Sequence, residues 1–513
     1  MHLTQAVHRA VQQDPQRLLT ICAGRVRTVG ESAERVARLA GGLRALGVGR
    51  GDRVAVWGPN SDRYHEVLLA VPWADGVVVP VNSRWIAAEV GYALRDSDTT
   101  VLVVDEAYAP MVAAVRQDAP ELSAVVVTGD ADLPDATIGY EELIATSPAI
   151  DDSRRGGADL FGIFYTGGTT GRSKGVMLTH ANVSESALGC LATGQFVTPG
   201  GCLAHAAPMF HLADLATWIA MLFTGGTHVI LPSFTPDAVL SAIEEHQVTD
   251  ILLVPTMIQL VADFPDAARF DLSSLRHLVY GGSSMPPALL EQARKIFPGT
   301  GFVQAYGMTE LAPVAALLLP ADHDVPELSR SVGRAAPHCE LRVVADDGAE
   351  VARRTVGEIV VRGGHVMLGY WQRPDETALA LRAGWMHTGD AGFMDEHGYL
   401  FVVDRIKDMI ISGDENVYSA EVEAVLGAHP AVAGSAVIGL PDAQWGERVH
   451  ALVVLASGAS VTGQELRGFC RQHLAGYKVP RTVEFVDVLP ISAAGKVLKR
   501  QLRDQRRPPL PSS

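Results

Sequence analysis

Between residues 165 and 175 the chain reads Tyr-Thr-Gly-Gly-Thr-Thr-Gly-Arg-Ser-Lys-Gly. Glycine lets backbone N–H groups approach a ligand closely, and successive N–H groups in a turn form a concave anion site. The hydroxyls of Thr166, Thr169, Thr170 and Ser173 add donors, and Lys174 adds a charge suited to a phosphate. The competing reading is an ordinary glycine-rich loop. A Walker A loop is excluded, because it needs Gly-Lys-Ser/Thr and Gly171 is followed by Arg172.

Three further stretches could do chemistry. Tyr306-Gly-Met-Thr-Glu310 sets an aromatic ring, a hydroxyl and a carboxylate on one turn. The ring could stack on a base, and Glu310 could hold Mg²⁺ through oxygen with Thr309 near a phosphate. Gly384-Trp-Met-His-Thr-Gly-Asp390 ends in a carboxylate able to accept two ribose hydroxyls, or merely to close a turn. Pro490-x-x-x-x-Gly495-Lys496 ends in a lysine with reach, or a solvated tail cation. The chain has 6 lysines against 36 arginines, so each lysine is set apart from a generic cation. A compact ammonium and a planar guanidinium are not interchangeable at a phosphate.

Other chemistries fail on spacing. Gly281-x-Ser283 would need glycine at 285 for a nucleophile elbow, and Met285 stands there. His65-Glu66 would need histidine at 69 for a zinc protease, and Leu69 stands there. A net charge of −16 argues against a nucleic-acid partner held by general electrostatics. The cysteines Cys22, Cys190, Cys202, Cys339 and Cys470 are scattered without a CxxC, which suggests neither a disulfide framework nor a zinc site. No signal-peptide core and no membrane-length apolar run are read, so a cytoplasmic location is expected.

The elements that must position these residues alternate between strands and helices. Residues 31–48 read as an amphipathic helix, and Asp52–Trp57, Gly76–Pro80, Val101–Val104 and Ala124–Val127 read as strands. Leu160–Phe164 is a buried strand leading into the glycine-rich loop. Thr235-Pro236 starts a helix to about His246, and Ile251–Val254 is the next strand. Leu278–Ser284 and Phe302–Glu310 repeat a strand-then-glycine plan, which points to one cleft at the carboxyl edge of a largely parallel sheet. From about residue 331 short strands suggest a small β unit. Beyond Asp404 a compact α+β pattern follows, with a helix from Ser419 and a capping box at Thr462–Glu465. The expected division is residues 1–403 and 404–513.

Taken together and in this order, the motifs resemble those of the acyl-CoA synthetases of the adenylate-forming superfamily. Pro208-Met-Phe-His211, Tyr280–Ser283, Asp404–Gly413, Glu415-Asn-Val-Tyr418 and Tyr477-Lys-Val-Pro480 complete the set, and the resemblance runs from Asp52 to Leu502. It implies an α/β fold: a large N-terminal domain of two βαβ-type sheets plus a small β-barrel, and a small mobile α+β C-terminal domain. It also implies a two-step reaction. A carboxylate and MgATP give an acyl-adenylate and pyrophosphate; CoA then gives the thioester and AMP.

The resemblance assigns roles to residues. Lys496 would act at the carboxylate and α-phosphate, where two anions must meet, and Mg²⁺ on Glu310 would hold the phosphates. Thr166, Gly167, Gly168, Thr169, Thr170, Gly171 and Lys174 would grip the β- and γ-phosphates. Gly282, Ser283, Tyr306 and Gly307 would hold adenine, with Thr309 beside a phosphate, and Asp390 with Arg405 would hold ribose. Lys407 would be the hinge, and Ser412, Gly413 and Lys478 would line the CoA path. Asp414 stands where the family has glycine; it either faces solvent or touches the CoA path.

His211 stands where amino-acid-activating relatives carry aspartate, which implies a substrate without an α-amine. Met209, Phe210, Leu212, Trp218, Ile219 and Met221 surround it in sequence, either as an acyl pocket or as core. A medium- or long-chain fatty acid is the first expectation and an aryl or arylpropenoic acid the second. The rivals are a stand-alone adenylation enzyme loading a carrier protein and a non-catalytic nucleotide-binding relative. Expected partners are the acid, ATP and CoA, together with a second copy in a homodimer and a lysine acetyltransferase acting on Lys496.

Overall fold

A computed structural model describes residues 1–129, 136–166, 173–283, 285–412, 415–442, 444–491 and 497–506. The chain divides into two compact units. One comprises Met1–Leu341 and Val361–Met386, the other Arg342–Val360 and His387–Ser513.

The first unit is built on two sheets. Val77–Val81 and Thr99–Asp105 flank Arg53–Trp57 as parallel neighbours. Val77–Val81 is buried at every position. A strand covered on both faces has no polar side to alternate with, which is why this run reads as uninterrupted valine and proline. The helix Asp62–Trp73 follows Arg53–Trp57 and starts where Ser61 Oγ accepts from the Tyr64 amide. Leu160–Thr166 joins the same sheet and turns back antiparallel into Lys174–Thr179, with Thr166 opposite Lys174. Gly369–Tyr370 then pairs with Met177 and Val176 and covers the edge of Lys174–Thr179.

The second sheet runs, from one side to the centre, Arg334–Ala335, Val314–Leu318, Gly301–Gly307, His277–Gly281, Asp250–Leu252 and Cys202–His205. Its central pairs are parallel. The helix Pro236–His246 has the expected Thr235 cap, whose side chain accepts from Ala238 N. The expected strand 251–254 instead ends at Leu252. Pro255 opens the helix Pro255–Ala262, and the residue before a proline at the first helical position is held extended outside the helix.

In the second unit Val432–Asp442 and Gly446–Leu455 form a long antiparallel hairpin. Thr482–Phe485 pairs in parallel with Gly446–Leu455, and Ile410–Ser412 joins the same strand at Gly446, with Glu415–Val417 antiparallel beside it. The helix Gly463–His473 starts at the expected Thr462–Glu465 capping box, and the helix Ser419–Gly427 starts where expected. Mixed α/β architecture, with a large set of sheets followed by a smaller α+β part, is what the sequence pattern led one to expect.

Candidate active site

In the first unit Gly282, Ser283, Tyr306, Gly307, Thr309 and Glu310 sit at or just past the carboxyl ends of neighbouring parallel strands. Gly281 lies opposite Ala305 across parallel strands, so Gly282-Ser283 leaves the sheet beside Tyr306, which is still paired with Ala316 near the end of its strand. Gly282 has φ +79°, a left-handed conformation that glycine adopts without strain. At Gly307 a Cβ would come within 1.8 Å of the Pro313 carbonyl oxygen, so no other residue fits this turn. The chain then makes a tight helical turn, Thr309–Leu311, that buries Glu310. His211 precedes the helix Leu212–Thr224, half-buried, with its ring centroid 4.4 Å from that of Phe210.

Glu310 and Lys174 meet at Tyr370. The Tyr370 hydroxyl donates to Glu310 Oε1 at 2.9 Å. Lys174 Nζ stands 5.0 Å from the centre of the same ring, within reach of its negative face, and is ion-paired with Glu376. Burial, then the charge of Glu310 and the hydrogen bond to it, drive the Tyr370 pKa far up, so the hydroxyl stays a donor. The Met367 amide donates to the Glu310 carbonyl at 2.9 Å, and the Trp371 amide donates to the Gly175 carbonyl at 2.8 Å. The segment 367–376 is thereby stitched to both the carboxylate turn and the lysine strand.

Asp96 fixes the base of this arrangement. Its carboxylate accepts from the Tyr165 hydroxyl at 2.7 Å, and its backbone carbonyl accepts from Trp371 Nε1 at 2.8 Å. Arg373 Nη2 lies 3.4 Å from Asp96 Oδ1 and donates to the Tyr92 hydroxyl at 3.2 Å. Neither Tyr370 nor Glu376 nor Asp96 stands out in the sequence. The one local signal is Gly369-Tyr370-Trp371, an aromatic pair directly after a glycine.

The second unit holds another constellation. Asp390 and Arg405 face each other across paired strands, with Arg405 Nε 2.5 Å from Asp390 Oδ1. Asp404 is buried and accepts from Ser419 Oγ at 2.6 Å, from the Arg405 amide at 2.7 Å and from the Ala420 amide at 3.3 Å. Lys499 Nζ donates to Ser419 Oγ at 2.6 Å and pairs with Glu423 at 2.7 Å. Lys407 is exposed on the turn Ile406–Asp408, and Ser412 is buried at the end of Ile410–Ser412. Lys478 is paired with Glu421 at 2.7 Å. Gly167, Gly168, Thr169, Thr170, Gly171, Gly413, Asp414 and Lys496 lie outside the described residues.

The apolar residues around His211 turn out to be core. Trp218, Ile219, Met221 and Leu222 are buried, and Trp218 Nε1 donates to His65 Nδ1 at 2.9 Å. Behind them His205 is held between Asp214 at 2.8 Å and His228 at 2.9 Å. Asn60 ties the nearby backbone, donating to the Ala207 carbonyl at 2.8 Å and accepting from the Met209 amide at 2.7 Å.

Comparison with known proteins decides what this arrangement is. The AMP-binding enzyme pattern matches residues 7–371, and the AMP-binding enzyme C-terminal domain matches residues 421–496. The chain belongs to the AMP-binding enzyme family. It is 42% identical over 502 residues to a feruloyl-CoA synthase of Amycolatopsis, covering 96% of this chain and 97% of the relative. It is 37% identical over 470 residues to the long-chain-fatty-acid–CoA ligase FadD13 of Mycobacterium tuberculosis, covering 91% of each. ATP-bound MatB from Rhodopseudomonas palustris superposes with a TM-score of 0.89 at 32% identity, over 98% of this chain and 99% of that one. This AMP-binding enzyme is an acyl-CoA synthetase of the adenylate-forming superfamily, an AMP-forming acid–thiol ligase acting with ATP and CoA. Among its described residues no helix is long and apolar enough to cross a membrane.

Proposed function

We propose that this acyl-CoA synthetase activates an arylpropenoic acid of the hydroxycinnamate kind and transfers it to CoA. The observation that carries this reading is the packing of the helix after His211. A tunnel for a long alkyl chain would need its apolar side chains, and Trp218, Ile219, Met221 and Leu222 are already spent on the core. The sequence-based preference for a fatty acid rested on Met209, Phe210, Leu212, Trp218, Ile219 and Met221, all of them buried. The similarity to a feruloyl-CoA synthase supports the aryl reading, and the similarity to FadD13 supports a fatty acid as the second.

In the first step the acid's carboxylate attacks the α-phosphate, and two anions must approach each other. Lys496 offsets their repulsion, and Lys174 with the 166–171 segment grips the leaving phosphates. Tyr306 and Gly282-Ser283 hold the base, Thr309 a phosphate, and Asp390 with Arg405 the ribose. His211 closes the carboxylate end of the acid site. Among the described residues no cluster of three or more His, Cys, Asp or Glu side chains could hold a metal ion. The single buried carboxylate of Glu310, oriented by Tyr370, suits Mg²⁺ that arrives on the nucleotide's phosphates. Such an ion, once bound, neutralises phosphate charge.

The second step needs the nucleotide site reopened to a thiol. Residues 404–513 swing about Lys407, and Ser412, Gly413 and Lys478 then line the pantetheine route, Lys478 having exchanged Glu421 for the cofactor. The protein works in the cytoplasm as a homodimer, with Lys496 as a target for acetylation. A panel of ferulate, cinnamate, benzoate, octanoate and palmitate, scored by AMP release with and without CoA, tests the reading. Ferulate or cinnamate should exceed the alkyl acids in kcat/KM by at least about tenfold. Preference for palmitate would install the second reading. AMP release that requires a carrier protein in place of CoA would reject both.

A further inference from the structure

We propose that Glu376 is a place-holding anion: it neutralises Lys174 while the phosphate site is empty, and the β- and γ-phosphates must displace it. This rests on the reading of Lys174 as a phosphate ligand. Three observations support the exchange. The Lys174 and Glu376 side chains are ion-paired and partly exposed, 21% and 34%, so an incoming anion can reach the ammonium from solvent. Glu376 has a second cation in waiting, because Arg373 Nε lies 4.0 Å from its Oε1. Its helix, Pro374–Ala380, buries no residue, so the carboxylate can turn from Lys174 to Arg373 without disturbing a core.

Tyr370 makes the exchange reversible. Its ring keeps the Lys174 ammonium in place through a cation–π contact that does not depend on which anion the ammonium faces. The ammonium is then poised for phosphate before ATP arrives. When pyrophosphate forms, the returning carboxylate competes for the same cation and favours release. Glu376 is a positioning residue in this scheme; it touches neither the acid nor the reacting phosphorus.

Pyrophosphate binding to the full-length protein by calorimetry, alongside ATP–pyrophosphate exchange, tests this. Glu376→Gln should tighten pyrophosphate about three- to fivefold, the equivalent of losing one partly screened ion pair as competitor. The KM for pyrophosphate should fall by the same factor while the KM for the acid stays constant, and Glu376→Ala should behave alike. In a Lys174→Gln background neither substitution should change pyrophosphate affinity. Unchanged or weaker binding in both Glu376 variants, with the wild type exchanging normally, overturns the proposal. A wild-type protein that exchanges pyrophosphate with no acid overturns the functional reading and this inference with it.

Discussion

The Tyr370 hydroxyl donates a 2.9 Å hydrogen bond to Glu310 Oε1, joining the edge strand of one sheet to the turn that ends a strand of the other. Tyr370→Phe removes that donor and leaves the ring under Lys174. A hydrogen bond to a buried carboxylate contributes about 1.5–3 kcal/mol, so adenylation should slow by roughly 10- to 100-fold. Single-turnover formation of the acyl-adenylate is the measurement. A variant with wild-type rates would show that the hydroxyl does not orient Glu310.

Lys496→Ala should cost adenylate formation on the order of 10³-fold while ATP still binds, because only the meeting of two anions requires that charge. Equilibrium binding of a non-hydrolysable ATP analogue and ATP–pyrophosphate exchange separate the two effects. Full exchange activity in the variant would remove Lys496 from the mechanism.

Asp404→Ala should loosen the start of the helix Ser419–Gly427. The buried carboxylate serves Ser419, Ala420 and Arg405, and its removal strands the Ala420 amide at the helix N-terminus and the Arg405 amide at the end of the strand Leu400–Arg405. A cost of about 2–4 kcal/mol is expected. Hydrogen exchange over residues 419–427 should quicken more than in the first unit; uniform protection would argue that the three bonds are individually weak.

Stability should fall on acidification because of His65. Trp218 Nε1 donates to its Nδ1, so the ring is held neutral, and burial followed by the nearby His205 lowers its pKa from 6.5 to about 3. The unfolded chain takes up the proton first as pH drops below 6.5, so stability present above that pH is lost progressively toward pH 3. By pH 4 the loss is on the order of 3 kcal/mol. His65→Gln, whose amide oxygen can still accept from Trp218, should reduce the slope; His228, also lowered by burial, leaves a remainder. Urea denaturation between pH 7.5 and 4 measures it, and an unaltered slope in the variant would assign the loss elsewhere.

The elements written into the sequence are those with local causes. Thr235-Pro236 and Thr462–Glu465 mark helix starts through caps that need only their neighbours, and Val77–Val81 is apolar because both of its faces are covered. The strand ends that carry Gly282, Tyr306 and Glu310 were legible through their glycine turns. Tyr370 was not, because its partners stand on a strand nearly two hundred residues earlier and on a turn sixty residues away. Whether Trp218 and Met221 wall a pocket or fill the core stayed open in the sequence, because composition cannot separate a lining residue from a core residue. Only the bond to His65 and the complete burial do that.

The late arrival of Gly369–Tyr370 on the flank of Lys174–Thr179 bears on biosynthesis. Until the ribosome has released that stretch, the earlier strand carries an uncapped row of amides and carbonyls, a template for intermolecular pairing. Nascent chains stalled short of residue 369 should therefore aggregate or recruit chaperones.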